Sequence, residues 1–268
     1  MRISTICRIL CGTAFAAACC MPAAAQPKTI YYGSACVKVK PNKDADFAAQ
    51  ISGNMLRLEQ ARLDAGTITG WLALRAVLPM GKKAQCDYLI VTFYPGLPKG
   101  ILNGEDTTTA LQKAGMSMTA DEFWEPIHAD SYLVSNEVGE MPVMLGGGQK
   151  GYYDVVNDMD MPDTDQCVNT EKKLWQPFAE ARMKDGQQSG WGVWLTMFPR
   201  GSQVENGAGT VDVYPTWDAI FMEGFQKTWQ DVHPDVKPED AMAQFNKQCS
   251  MKMSVIYEEV EDIHAPRQ

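Results

Sequence analysis

Residues 61–95 read ARLDAGTITGWLALRAVLPMGKKAQCDYLIVTFYP, and residues 181–215 read ARMKDGQQSGWGVWLTMFPRGSQVENGAGTVDVYP. Set side by side at an offset of 120, the two stretches share ten of 35 positions without a gap. The matches are Ala61/Ala181, Arg62/Arg182, Gly66/Gly186, Gly70/Gly190, Trp71/Trp191, Pro79/Pro199, Gly81/Gly201, Val91/Val211, Tyr94/Tyr214 and Pro95/Pro215. Ordinary composition gives about two by chance. Gly, Pro and Trp recur together, and these residues punctuate helix ends, turns and anchored strands. The chain therefore reads as two copies of one module.

Outward from these stretches, each copy shows the same coarse order. In the second, Tyr152 to Asn157 is a short strand, and Thr164 caps a helix with Val168, Trp175, Phe178 and Arg182 on one side. Pro177 removes a backbone donor there and is expected to kink it. Gly186 stops the helix, and strands follow at Trp191 to Phe198 and Thr210 to Tyr214, separated by a Pro-Arg-Gly turn and a polar loop. Helical stretches cover Thr216 to Trp229 and Pro238 to Cys249, before a last strand from Met253 to Val260.

The first copy has a strand at Tyr31 to Val39 and a helix at Asp44 to Leu63, with Phe47, Ile51, Met55 and Leu58 on one face. Strands follow at Trp71 to Leu78 and Asp87 to Tyr94. The box Thr119-Ala120-Asp121-Glu122 opens another helix, and Tyr132 to Val138 closes the copy. Leu145 to Gly151 lacks the Lys-Ser/Thr ending of a phosphate loop and reads as a linker.

Strand-helix-strand-strand-helix-strand is the ferredoxin-like order. The expected fold class is α+β, two tandem ferredoxin-like modules forming a pseudo-dimeric α+β barrel. Leu72, Leu74 and Leu78 lie on one face of their strand and Trp71, Ala73 and Val77 on the other. Helices cover only one face of such a sheet, so the second faces are expected to pack against each other in a shared interior.

The N-terminus has its own signature. Arg2 and Arg8 precede an uncharged apolar and small-residue run from Ile9 to Cys20, and Ala23-Ala24-Ala25 supplies a cleavage site before Gln26. Residues 1–25 read as a signal peptide of an exported, periplasmic or secreted protein, ahead of modules at 26–145 and 146–268. A lipoprotein signal ending at Cys19 or Cys20 is the alternative. Removing 25 residues takes away two Arg and four Cys, leaving 243 residues, a net charge of −11, and Cys36, Cys86, Cys167 and Cys249. An even count in an oxidising compartment favours two disulfides over metal binding, since neither a C-x-x-C nor a Cys/His pair at ligand spacing is present. The acidic balance excludes a nucleic-acid backbone partner, and no apolar run is long enough for a transmembrane segment.

The segments Leu174 to Arg182, Gly190-Trp191 and Val211 to Tyr214 resemble those of exported bacterial proteins whose modules are similar to the dimeric α+β barrel superfamily. That superfamily includes antibiotic-biosynthesis monooxygenases, chlorite-dismutase-like haem proteins and NIPSNAP-like proteins. The resemblance covers most of residues 29–263 in element order and carries no catalytic signature. In this fold the end of the first strand lies near the start of the third, where Cys36 and Cys86 fall. The start of the first helix lies near the end of the second, where Cys167 and Cys249 fall. The resemblance therefore implies the pairs 36–86 and 167–249.

Candidate site residues follow from the same reading. Arg62 and Arg182 end the first helix of each copy, as cations on free carbonyls or as an anion clamp at the barrel mouth. Trp71 and Trp191 begin the second strands, as core or pocket lining. Tyr94 and Tyr214, each before a Pro, end the third strands. Arg75 is a charge in an apolar strand and needs a partner or a ligand. Trp124 and His128 share a helical face, where His128 is a candidate base or haem ligand. His233 and His264 lie in a loop and in the tail. Catalytic motifs for serine hydrolases, zinc proteases, dinucleotide enzymes and EF-hands are missing. No metal is implied, and haem is the one cofactor that the resemblance admits.

These readings favour an exported protein that binds a small, partly apolar ligand in or beside the barrel, with a monomer as the default state. A cofactor-free or haem-using oxygenase-like enzyme and an envelope structural or assembly protein are the alternatives.

Overall fold

The structure, a computed structural model, describes residues 29–79, 84–99, 106–199, 207–221 and 223–265. Residues 1–25, read above as a signal peptide, the lipidation candidates Cys19 and Cys20, and the matched Gly81/Gly201 lie outside the described residues. In the first half, strands β1 (Ile30–Val39), β2 (Gly70–Leu78), β3 (Tyr88–Tyr94) and β4 (Ser131–Gly146) form an antiparallel sheet in the order β4-β1-β3-β2. Strands β5 (Tyr153–Asp160), β6 (Gly190–Phe198), β7 (Ala208–Tyr214) and β8 (Ser250–His264) repeat this as β8-β5-β7-β6. Both are ferredoxin-like sheets.

The bounds of β2 and β6 differ by 120 at both ends, and β3 and β7 end on Tyr94 and Tyr214. The helix before each second strand ends at a Gly with positive φ, Gly66 at 70° and Gly186 at 72°. That left-handed conformation costs Gly nothing and other residues about 1 kcal/mol or more, so the helix ends at the same place in both copies.

Closure comes from the sheet edges. β2 pairs with β8 and β4 pairs with β6, both antiparallel, giving a closed eight-stranded barrel. The inward faces meet in part as expected, Leu74, Val255 and Tyr257 forming a buried interior cluster with Val91 and Val156 against it. They line a hollow, and the two sheets are joined by backbone hydrogen bonds at their edges. β4 and β8 are also longer than the sequence suggested, and both take part in the seams between the halves.

Helices pack on the outside. They are α1 (Asp44–Gln50) and α2 (Leu56–Asp64), joined by a π-helical turn at Ile51–Met55, then α3 (Thr107–Lys113) and α4 (Ala120–Asp130). The second half has α5 (Thr164–Lys184), a 3-10 turn at Asp218–Phe221, α6 (Phe225–Val232) and α7 (Pro238–Phe245). Phe47, Leu58, Trp71, Leu111 and Phe123 form the first helix-sheet core. Cys167, Trp191, Val193 and Phe245 form the second.

Local expectations were met unevenly. Thr119 and Glu122 form the full capping box of α4. The cap of α5 is Asp163, which accepts the Gln166 N–H at 3.0 Å, with Thr164 as first helical residue. α5 is one α-helix through Pro177, and the irregular turn falls in the first copy instead. α3 lacks a long apolar stripe and was not foreseen. The stretch from Thr216 to Trp229 is broken at Gly224, whose φ is 78°.

The disulfides are Cys36–Cys86 and Cys167–Cys249, with sequence separations of 50 and 82 residues. The second ties the first turn of α5 to the residue before β8, so it restrains the helical layer of the second half. Replacing Cys167 and Cys249 together by Ala is expected to lower unfolding stability by about 3–4 kcal/mol. Equilibrium denaturation under non-reducing conditions measures it, and an unchanged midpoint would show that this bridge constrains nothing.

Candidate functional site

Alternate residues of every strand point inward. At mid-barrel these include Leu72, Leu74, Val91, Val156, Val211 and Val255, an apolar belt around a cavity of about 830 Å³. That volume lies in the range of small-molecule sites. Exposed Thr29, Thr69, Pro95, His264 and Ala265 rim one mouth, where β1 and β2 start and β3 and β8 end.

Five carboxyl groups also line this space: Glu137 on β4, Asp154 and Asp158 on β5, and Glu259 and Asp262 on β8. Asp154 and Asp158 flank inward Val156, so plain alternation aims them inside. Asp262 arrives differently. The pairing of β2 with β8 passes from Ala73↔Glu261 to Leu74↔Glu259, so Val260 is bulged. The extra residue shifts the face that follows, and Glu259 and Asp262 both point inward. Gly148 packs against the Glu259 carboxyl, where a side chain would collide with it. The segment between the two halves thus forms part of the cavity wall as well as a connection.

Burial dominates the electrostatics. Asp154 is 3% exposed, and desolvation pushes its carboxyl up to about 7. The charges of Asp262 and Asp212 add to this, while a hydrogen bond with Glu259 opposes it. A hydrogen bond between two carboxyls requires a proton on one of them. The Oδ1 atom of Asp154 has no hydrogen-bond partner among the described residues. Burial, with Glu137 nearby, pushes Asp158 up to about 6, against the pull of Lys252. Burial likewise raises Glu137, opposed by the Thr196 hydroxyl, which donates to it at 2.8 Å. Tyr32 lies over Gly139, where a Cβ would strike its ring. The Tyr32 hydroxyl is buried beside that of Thr196.

A second polar cluster lies behind the barrel wall, under α5. Asp212 accepts from Gln188 and Asn157 at 3.0 and 3.1 Å, and burial pushes it up to about 6. Glu171 is pushed up to about 8, by burial first and by Asp212 second. None of Asp212, Gln188, Asn157 or Glu171 lines the cavity.

The residues singled out from sequence divide between several places. Tyr94 lines the cavity. Trp71 and Trp191 are buried on the helix side of the sheets, and Tyr214 is buried without lining the cavity. Arg62 donates from one nitrogen to both Glu59 oxygens, at 2.9 and 2.7 Å. Arg182 is 1% exposed and donates to the carbonyls of Ala219 and Glu223 at 3.3 and 3.5 Å, with Phe178 beside it. Neither Arg reaches the mouth. Arg75 points out of the barrel and pairs with Glu258 at 2.7 Å, half exposed. Trp124 stacks on His128 at 5.8 Å on the surface of α4, and its indole donates to Thr107.

Sequence reading missed the carboxyls of the interior. For Asp154 and Asp158 a signal existed, since they flank Val156 at strand spacing on a face expected to be apolar. For Asp262 none existed, because its direction depends on the bulge.

For haem the lining offers one imidazole, exposed His264 at the mouth, with the thioethers of Met141 and Met144 and buried tyrosines, while its two cysteines, Cys36 and Cys86, are joined in a disulfide. Five carboxyls in the same wall oppose an anionic porphyrin. Among the described residues no group of three or more His, Cys, Asp or Glu is arranged to hold a metal ion.

No family model matches the sequence, and no curated protein matches it. Solved structures do. The chain is similar to a "Putative monooxygenase" from Fusobacterium nucleatum subsp. nucleatum, with a TM-score of 0.53 and 10% identity over 88% of this chain and 94% of that one. It is also similar to a "putative monooxygenase" from Lactobacillus acidophilus, with a TM-score of 0.51 and 8% identity over 89% and 99%. At this identity the likeness establishes the shared α+β barrel fold.

Acids raised above their unfolded values make the folded chain bind more protons than the unfolded chain. Their contribution to stability is therefore largest below about pH 4 and declines as pH rises toward their folded values near 6 and 7. Thermal melting is expected to show a higher Tm at pH 5 than at pH 8. Asp154→Asn is expected to narrow that gap. A gap of unchanged size in the variant would remove Asp154 as its source.

Proposed function

We propose that the chain is an exported binding protein whose barrel takes up a small, partly apolar ligand through the mouth at Thr29, Thr69 and His264. One observation carries the reading: a closed sheet encloses about 830 Å³ behind an apolar belt with an open rim. A barrel that served only as scaffold gains stability by filling such a space, because every lining group that faces a void forfeits contacts. Export is supported by two disulfides between distant cysteines, which suit an oxidising compartment. No helix among the described residues is long and apolar enough to cross a membrane. Monomer is the simplest state, because the fused halves already satisfy each other's sheet edges.

An oxygenase-like catalyst is the second reading, favoured by Asp154. A carboxyl near 7 inside an apolar cavity is matched to proton transfer at neutral pH. A bound ligand recovered unchanged after incubation in air supports carriage, and a ligand recovered oxidised supports catalysis.

Nile red, a neutral apolar dye, provides the direct test. Saturable binding of one dye per chain is expected, with enhanced emission, and Val211→Trp is expected to abolish it by filling the belt. Far-UV circular dichroism checks that the variant still folds. Absence of binding to the unaltered chain, or equal binding to a folded variant, would overturn the proposal.

A further inference from the structure

Ligand charge is the property that the cavity wall specifies most strongly. Its lining carries five carboxyls and neither Lys nor Arg among the described residues. Three nearby cations are absent from the lining and are paired elsewhere: Arg75 with Glu258 and Lys150 with Glu261, each at 2.7 Å, and Lys252, which acts on Asp158 by charge, with Asp160 at 3.8 Å. An acidic wall of this kind repels anionic ligands.

Two further groups face this space. Asp154, 3% exposed, presents Oδ1 without a hydrogen-bond partner among the described residues. Tyr32, 5% exposed and on a different strand, presents its hydroxyl beside that of Thr196. A buried acceptor left unmatched is destabilising, and a ligand that donates to it removes that cost. The aromatic surfaces of Tyr32, Phe93 and Trp194 line the same cavity and attract a cation through their ring faces. Two residues further along β5, Val156 begins the apolar belt, so an acceptor for a charged head lies beside a wall for an apolar body.

Building on the binding reading above, we infer that the ligand is a protonated amine with an aryl or alkyl body, its N–H groups donating to Asp154 and its body lying against Val156, Val211 and Leu74. An ammonium group beside Asp154 offsets the negative charge of the carboxyls gathered there, Glu259 and Asp262 among them.

Three probes of one shape and different charge test this by calorimetry at pH 7.5: 4-phenylbutylamine, 4-phenylbutanol and 4-phenylbutyrate. The amine is expected to bind about 10-fold or more tightly than the alcohol, with the acid weakest. Asp154→Asn, nearly the same shape, is expected to remove most of that preference while Nile red binds as before. Nile red binding with the alcohol or the acid equal to the amine would overturn the amine inference and leave the binding reading intact. Nile red binding with none of the three probes bound would do the same. An amine preference retained in a variant that still binds Nile red would remove Asp154 as the acceptor. Failure of all four compounds would overturn both readings.

Discussion

A four-stranded sheet has two edges, and the unpaired N–H and C=O groups along them must be satisfied. Here each half supplies the other's missing neighbours: β8 completes β2, and β4 completes β6. The rest of the structure depends on this exchange. It turns two sheets with helices on one face into one barrel with all its helices outside, and turns both second faces toward a common interior. The seam strands β4 and β8 are the longest, 16 and 15 residues.

Inside the barrel the two halves differ. Tyr32 pairs with Phe93, and Asp154 pairs with Val213, the residue 120 positions after Phe93. Asp154 therefore stands where the first half has Tyr32. By the same register Asp158 stands where the first half has Cys36, half of a disulfide. The helix-side residues Trp71/Trp191 and Arg62/Arg182 are the same in both halves, as are the belt residues Val91 and Val211, while the carboxyls Asp154 and Asp158 belong to the second half alone. Within the wall, neutral residues contribute fit: Gly139 leaves room for the Tyr32 ring, and Gly148 for Glu259.

Much of the fold was legible because it rests on local chemistry. Gly66 and Gly186 stop helices through a conformation that suits glycine, Thr119 and Glu122 cap α4, and the cysteines sit where the ferredoxin-like order brings them together. The interior was harder to read. An apolar strand face looks the same whether it packs against another sheet or lines a hollow, so Leu72 and Leu74 gave no sign of a cavity. The direction of Asp262 depends on a bulge formed only when β8 meets β2, a partner nearly two hundred residues away in the chain. Arg75 shows the converse. Its place in an apolar strand suggested a site, but its end of the strand lies where the side chain reaches solvent and meets Glu258.

The account depends most on the barrel being hollow at its apolar belt. Diffraction from crystals held under xenon pressure tests this directly, because xenon enters dry apolar cavities without needing a polar partner. Xenon density between Leu72, Val91, Val211 and Val255 is the result expected. A belt closed by side chains meeting across the axis, with no xenon inside, would contradict it.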